Sequence, residues 1–468
     1  MYKGKKYYLI LIPEKIYHIL PVIENLLRPK IKGYSSDNLK EIISIIACHI
    51  RKDDNRTPLK ITYIKKLVPQ GDKYLSGLID LEVVQRSGNP IPGIISYKYN
   101  FAPEYWSKYK TFSLDNPKLI SRIEKAQHEL RREAAKSVRG HSEQIKYLKQ
   151  LTITNDYIDF IESTYKADTE RYNYIKASAT RIINGDIFYS VDKTSGRFHS
   201  NVTNMAKGLR PYLRIRGESL VNIDIKNSQP YLSTIILTNP RKVSYMTKNP
   251  AFAMLLQSLK VPMSQDVKKY ISLVINGQLY EYLMQEFLKE GLDLTRGETK
   301  TQVLRILFAK NWMPKDKINR KARKVFINRF PTVHKIFSKV RGREKGDRFV
   351  MFNRFSILLQ SIESYLMLDV IMKRIDKELP NTIAVTVHDS IMTGIMTNNV
   401  EAVRNIMAEE LTSFVGFSPN IKIEENIELK ENACTKRMAM MEEREEKSNT
   451  NSNQYVATTS VSLNLSVN

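Results

Sequence analysis

Apolar and polar positions follow two periods along this chain, and the switches between them mark out its elements. The run Tyr7-Tyr-Leu-Ile-Leu-Ile-Pro13 reads as a strand, and an amphipathic segment over 16–27 follows it, closed by Arg28-Pro29. Helical spacing returns over 38–49, where Leu39, Ile42, Ile43, Ile46 and Ala47 share one face, and again over 61–67 and 73–81. Strand-like runs at Val83-Val-Gln-Arg86 and Gly93-Ile-Ile-Ser-Tyr-Lys-Tyr-Asn-Phe101 flank a Gly/Asn/Pro tip. Three short helices and then a hairpin is the order of a winged helix-turn-helix, whose third helix, with Lys73 and the wing residue Arg86, would approach DNA. A helical accessory module packed on the main body gives the same pattern. Residues 1–110 are therefore read as an N-terminal accessory domain.

Residues 111–185 are helical and basic, with few Gly or Pro. After Gly185 come strands and loops, including Thr194-Ser-Gly-Arg-Phe-His-Ser-Asn201. The apolar strand Leu220-Val-Asn-Ile-Asp-Ile225 carries a single acid, Asp224, and Ser228-Gln-Pro230 is expected to cap the helix after it. Residues 240–350 are mainly helical, an insertion before a long helix over 357–375 that holds Gln360, Glu363 and Asp369. The stretch Thr382-Ile-Ala-Val-Thr-Val-His-Asp-Ser-Ile-Met392 then reads as one hairpin with a polar tip at His388-Asp389-Ser390. A helix over 399–414 and an alternating strand over 421–429 close the pattern, and 436–468 is expected to be a disordered tail.

Composition narrows the reading. The 468 residues suffice for two or three domains, and 74 Lys and Arg against 49 Asp and Glu leave a net charge of +25. That excess points to a polyanion, with nucleic acid as the default. A membrane is set aside because no apolar run approaches the roughly 20 residues that span a bilayer. Tyr7 to Pro13 is too short for a signal-peptide core. Two cysteines, Cys48 and Cys434, form no disulfide scaffold or zinc ribbon and suit a reducing cytoplasm.

Chemistry concentrates at two acids and one helix. An aspartate at a hairpin tip is usually an ordinary turn residue, and an acid at a strand end is a common feature. Between Asp224 and Asp389, however, lies Arg296-x3-Lys300-x3-Leu304-x3-Phe308, one stripe of two cations and two apolar side chains. Such a face suits a triphosphate with its base or sugar. Nucleotidyl transfer needs this combination: carboxylates for two divalent ions about 3.5–4 Å apart, and cations for the charge that develops on the phosphates. The Lys- and Arg-rich stretch 315–348, with Trp312, Phe326, Phe330 and Phe337 around it, suits a template path.

Over about 185–430 these residues resemble the superfamily of family A (Pol I-like) DNA polymerases and phage-type single-subunit RNA polymerases. Val221-Asn-Ile-Asp-Ile-Lys-Asn-Ser-Gln-Pro230 resembles the first metal-binding motif, 296–309 the fingers-helix motif, and Val387-His-Asp-Ser390 the second metal-binding motif. Thr194-Ser-Gly-Arg197 with Asn204 and Arg210 resembles a template and primer segment, and Gln360 the helix glutamine at the primer–template minor groove. The resemblance implies an α+β right-hand polymerase behind a small winged-helix-like domain. Its thumb-like region would be 111–185, its palm 186–239 and 351–435 with an antiparallel sheet, and its helical fingers 240–350. It implies that Asp224 and Asp389, with the Ile225 carbonyl, hold two Mg2+ ions, for which Mn2+ could substitute, and that Lys300 also acts in catalysis. Arg296, Lys300, Leu304, Phe308 and Gln229 would bind nucleotide, and Arg197, Asn204, Arg210, Gln360 and His388 nucleic acid.

The implied partners are a DNA primer-template, nucleoside triphosphates and replication proteins, in phage, plasmid or mobile-element DNA replication. Phe308-Ala309 stands where the family has Tyr-Gly, Gln229 where DNA polymerases have a steric-gate Glu, and Ser390 where they carry Glu. His-Asp-Ser is the RNA polymerase form, whereas the Thr-x-Gly-Arg segment and the short spacing between the acids favour the DNA polymerase branch. A DNA polymerase is the first reading. A single-subunit RNA polymerase or primase is the second, and an inactive relative that binds DNA the third. The first 180 residues hold no run of paired acids on strands, so no proofreading exonuclease is expected.

Overall fold

The computed structural model describes residues 8–50, 56–91, 96–138, 140–308, 314–342, 354–395 and 399–424. The expected tail over 436–468, the positions Ala309 and Trp312, and the end of the expected last strand over 425–429 lie outside them.

The N-terminal module runs β1 (Tyr8–Pro13), α1 (Glu14–Leu27), α2 (Ser36–Cys48), β2 (Thr57–Pro58), α3 (Ile61–Leu67), α4 (Gly71–Asp80), β3 (Val84–Ser87), β4 (Lys98–Phe101) and β5 (Tyr109–Leu114). β1 pairs antiparallel with β5, and a separate antiparallel sheet has the order β2-β4-β3. The sequence pattern misses β2, which is two residues long and ends in a proline. Its Thr57 hydroxyl donates to the Ile46 carbonyl (2.7 Å) and ties it to α2. Helix packing here is close: a Cβ on Gly77 of α4 would lie 2.5 Å from Leu27 Cδ2 at the end of α1.

The chain continues through α5 (Pro117–Ser137), α6 (Ser142–Leu148), β6 (Leu151–Ile153), α7 (Tyr157–Tyr165) and α8 (Thr169–Ile183). Asn116 starts α5 by accepting from the Leu119 amide, with Pro117 at the first helical position. β6 interrupts a region that reads as wholly helical, because three residues are too few for a period of two to register. Next come β7 (Tyr189–Val191), β8 (Phe198–Ser200), α9 (Asn201–Asn204), β9 (Leu213–Ile215), β10 (Glu218–Ile225) and α10 (Ser228–Thr238). The helical insertion comprises α11 (Pro250–Ser258), α12 (Gln265–Ile275), α13 (Leu279–Lys289), α14 (Arg296–Phe308), α15 (Lys317–Arg329) and α16 (Pro331–Arg341).

The last segment holds α17 (Arg354–Ser364), a π-helical stretch (Tyr365–Ile371), α18 (Met372–Glu378), β11 (Ala384–Val387), β12 (Ser390–Gly394), α19 (Val400–Val415) and β13 (Ile421–Ile423). From Arg354 to Glu378 the helix is long and apolar enough to cross a membrane by length and composition, which corrects the sequence reading. Its Phe355, Leu359, Ile362, Leu366 and Ile371 are buried in the largest apolar cluster, as in a core helix.

Helices together with antiparallel sheets make this an α+β chain, the class expected above. The sheet that positions the chemistry has six strands in the order β11-β12-β10-β9-β6, with β13 also on β10. Among the described residues three apolar clusters form the core: one in the N-terminal module, one beneath α6 to α9, and the largest around α10 to α19.

Candidate active site

β10 is the spine of the site, since β12 and β13 both pair with it antiparallel. This register sets Asp224 directly opposite Ser390 of β12 and Lys422 of β13. β11 and β12 are joined by a two-residue turn, His388-Asp389, because Val387 pairs with Ser390. His388 takes the left-handed conformation (φ 59°), a strained choice for a non-glycine residue. The buried Ser390 hydroxyl donates to the Val387 carbonyl (3.0 Å) and braces the turn. Asp389 is thereby held beside Asp224.

The electrostatics follow from that placement. Burial, then the charges of Asp389 and Glu424, push the Asp224 carboxyl up to about 6, against the pull of Lys207 and Lys300. Burial also raises Asp389, opposed by its own backbone amide, Lys300, the Ser228 side chain and Arg197. Two carboxylates that resist ionising side by side, with lysines facing them, are what a divalent cation relieves. Among the described residues no group of three or more His, Cys, Asp or Glu could hold a metal ion. Asp224 and Asp389 fit divalent ions whose other ligands come from substrate oxygens, backbone or water.

Glu424 escapes the sequence reading. It follows β13, donates its amide to the Asn222 carbonyl (2.8 Å), and accepts from Asn222 Nδ2 (3.2 Å) and from Lys207. The alternation of the last strand is the signal that could have found it: Lys422 and Glu424 repeat at a spacing of two beside Asp224 and Asn222. Arg210 belongs to the same neighbourhood; burial lowers it, while Glu424, Asp224 and Asp389 pull the other way.

Arg197 also acts on Asp389, from the loop before β8. Its loop is organised by Asp192, whose carboxylate accepts from the amides of Thr194 (2.7 Å), Ser195 (2.7 Å) and Arg197 (3.0 Å) and from the Ser195 hydroxyl (2.8 Å). Burial pulls Asp192 up, but these donors outweigh it and hold the carboxyl low. Arg197 Nη2 then meets Glu363 Oε1 of α17 at 2.7 Å, and Gln229 Nε2 from the first turn of α10 donates to Glu363 Oε2. Glu363 is only 2% exposed. Burial and then Asp389 push its carboxyl up to about 7, with Arg197 and Gln229 opposing. His388 is driven down to about 4 by burial, then by Arg197, His199 and Arg210, so its ring is neutral at pH 7. The ring meets His199 edge-on at 5.7 Å.

Not every expected residue converges here. Lys300 faces the acids. One turn before it on α14, Arg296 is exposed and bound by Glu281 (2.6 Å), with its guanidinium over the Tyr280 ring. Leu304 is partly buried, and Phe308 packs against the core instead of standing free on the face expected to take the base or sugar. Ser228 is not the cap of α10: Asn227, left-handed at φ 55°, holds that position without a side-chain hydrogen bond. Gln360 is partly exposed and lies one turn from Glu363, the residue on that helix that bonds Arg197 and Gln229. Ile225 is the buried last residue of β10. Asn204 is exposed and lines a separate cavity of about 500 Å³ with Cys48, His49 and Arg181.

No protein-family model matches the chain, and no curated protein matches it. Among solved structures the chain is weakly similar to the POL domain of Pol1 from M. smegmatis, in complex with DNA primer-template and dNTP. Identity is 11%, the TM-score is 0.28, and the match covers 65% of this chain and 65% of that one.

Proposed function

We propose that this chain is a template-directed nucleotidyltransferase that extends a primer strand from nucleoside triphosphates, a DNA polymerase of replication. The observation that carries the reading is the pair Asp224 and Asp389, set side by side by antiparallel strands and faced by Lys300 from an inserted helix. In this reading the six-stranded sheet is the palm, α11 to α16 the fingers, and α5 to α8 the thumb. Asp224 and Asp389, with the Ile225 carbonyl, would hold Mg2+ or Mn2+, which when bound supplies charge neutralisation and a more acidic 3′-hydroxyl. Lys300 stabilises negative charge on the triphosphate and is placed to protonate the departing pyrophosphate. Neutral His388, with Arg197 and Arg210 beside it, would line the path of the primer end, and Arg296 with Tyr280 the approach of the triphosphate.

The N-terminal module supports a DNA-contacting accessory role. Its order α2-β2-α3-α4-β3-β4 and its sheet order β2-β4-β3 are those of a winged helix, with Lys73 of α4 exposed. A second reading, a single-subunit RNA polymerase or primase, is favoured by Gln229 and Ser390. Ser390 is committed to bracing its turn and offers no third carboxylate.

The test is extension of a primed template, and synthesis on an unprimed one, with dNTPs and rNTPs tried separately. Asp224→Ala and Asp389→Ala are each expected to abolish incorporation while retaining salt-dependent DNA binding. Full extension by either variant sinks the reading. Binding without incorporation by the unaltered chain under any metal or nucleotide points instead to an inactive relative that binds DNA.

A further inference from the structure

Glu424 is an acid placed where a further acid is least welcome. Cross-strand partners on β10 and β13 share a face of the sheet, so Asn222, Asp224, Lys422 and Glu424 lie together on one side. After burial and Asp389, the charge of Glu424 is the next cause that pushes the Asp224 carboxyl up. A set of donors holds it there. Lys207 pairs with Oε1, and the Asn222 side chain donates to Oε2 (3.2 Å). An ionised carboxylate accepts hydrogen bonds and cannot donate them, so Asn222 must turn its NH2 towards it.

Arg210 stands in the same neighbourhood. Burial is the main influence on it, and Glu424 is the first charge to oppose burial, ahead of Asp224 and Asp389. Its Nε is shielded from water and finds no acceptor among the described residues. The donors here therefore exceed what one carboxylate takes up. Two cations and an amide NH2 gathered at one anion are a phosphate-binding set, a guanidinium meeting phosphate with directed N–H groups and a lysine as a point charge. The present occupant is easily released. The Lys207 side chain is 70% exposed and that of Glu424 25%, and ion pairs so open to water contribute little.

We propose that Lys207, Arg210 and the Asn222 amide form an anion subsite beside the acid pair, filled by the Glu424 carboxylate in the free chain and taken over by the last phosphodiester of the primer strand when nucleic acid binds. The inference rests on the nucleotidyltransferase reading, in which the reacting 3′-oxygen lies at the acid pair and that phosphodiester follows one nucleoside behind. Glu424 keeps the subsite's donors occupied until the primer arrives, and its release is part of binding.

The experiment is equilibrium binding of the full chain to a fluorescently labelled primed template in chelator, where no turnover intervenes. Two primers are compared, one native and one whose last linkage is a neutral methylphosphonate. Glu424→Gln keeps the size of the side chain and removes its charge, and is expected to lower Kd for the native primer about threefold to tenfold. Lys207→Ala is expected to raise that Kd and to reduce the salt slope by about one unit. The gain from Glu424→Gln should largely vanish in the Lys207→Ala background and on the methylphosphonate primer. A gain of equal size in every setting is long-range repulsion alone and overturns the inference, as does no gain at all.

Inorganic pyrophosphate, titrated calorimetrically against both chains, tests the other source of phosphate. Tighter pyrophosphate binding by Glu424→Gln with the primed template unmoved assigns the subsite to a triphosphate and overturns the primer assignment. Extension in Mg2+ separates the failures: a parent that extends the primer while Glu424→Gln binds it no tighter sinks this inference alone, and a parent that never extends sinks the function with it. Thermal melting reports whether Glu424→Gln keeps its fold. If it does not, the parent's preference for the native over the methylphosphonate primer, and its loss on replacing the exposed Lys207 by Ala, decide instead.

Discussion

Replacing Asp389 by Asn is expected to stabilise the metal-free chain while abolishing the nucleotidyl transfer proposed above. Asp224 is moved from 3.8 to about 6, roughly 2 pH units, and each unit corresponds to about 1.4 kcal/mol. That sets an upper bound of about 3 kcal/mol on the cost of ionising Asp224 in the fold at pH 8. Water screens a partly exposed group, and burial rather than Asp389 is the largest cause. The share that vanishes with the Asp389 charge is then about 0.5–1 kcal/mol. Asp389 is itself raised by burial, so neutralising it adds to the gain.

The sign with pH follows from proton binding. Both carboxyls are raised above their unfolded value, so the folded chain holds more protons than the unfolded one above about pH 4. Stability from this pair is fully present below that pH and falls as pH rises through about 6. Urea midpoints and melting temperatures at pH 5 and pH 8, in chelator and in Mg2+, check each step. At pH 8 in chelator Asp389→Asn should exceed the unaltered chain by about 1 kcal/mol, roughly 2–4 °C for a cooperative unit of 150–250 residues. At ten times its dissociation constant Mg2+ should stabilise the unaltered chain by about 1.4 kcal/mol and the variant far less. A variant less stable than the parent in chelator at pH 8, or an equal response to Mg2+ in both, refutes the reasoning.

Two further outcomes are expected outside the site. Glu41 is buried, and burial followed by Asp186 pushes its carboxyl up to about 8. Its contribution to stability is present below about pH 4.5 and is lost as pH rises through 8. Unfolding free energies from urea titrations should therefore decline by up to about 1.4 kcal/mol per pH unit between pH 5 and 8, and Glu41→Gln should flatten much of that slope. Gly77→Val would press a Cβ to 2.5 Å from Leu27 Cδ2, and the overpacking is expected to cost about 1–3 kcal/mol in a urea titration.

What the sequence disclosed depended on whether the determinant was local. Helices α3 and α14 fall where a 3.6-residue period places them, since burying one stripe suffices to set their bounds. The hairpin of β11 and β12 is equally legible, because β-branched alternation and a polar tip are local facts. β2 and β6 are invisible because two or three residues carry no period, and their strand character comes wholly from partners: β4 for one and β9 for the other. The stripe on α14 misleads for a related reason. Spacing puts Arg296, Lys300, Leu304 and Phe308 on one face, but only neighbouring helices decide that Phe308 reaches the core while Arg296 turns to Glu281.

Glu363 is the sharpest case. An acid in an apolar helix reads equally as a solvated position or as a buried charge, and the energetic difference is large. Nothing within a helical turn decides between them, because its amide partner Gln229 lies 134 positions away and Arg197 lies farther still. The meeting is made by the register of β10, which fixes where α10 begins, and by the Asp192 turn, which aims Arg197. Each of those two devices is local and could be read by itself. Their convergence on one carboxylate could not, so the motifs placed Gln360 at the nucleic acid and passed over the acid three residues on. A residue whose neighbours are apolar and whose partners are distant is conspicuous in one way only: burying it unpaired would be prohibitive. Wherever a core helix carries such an acid, a cation or an amide must be brought to it from elsewhere in the fold, and here both were.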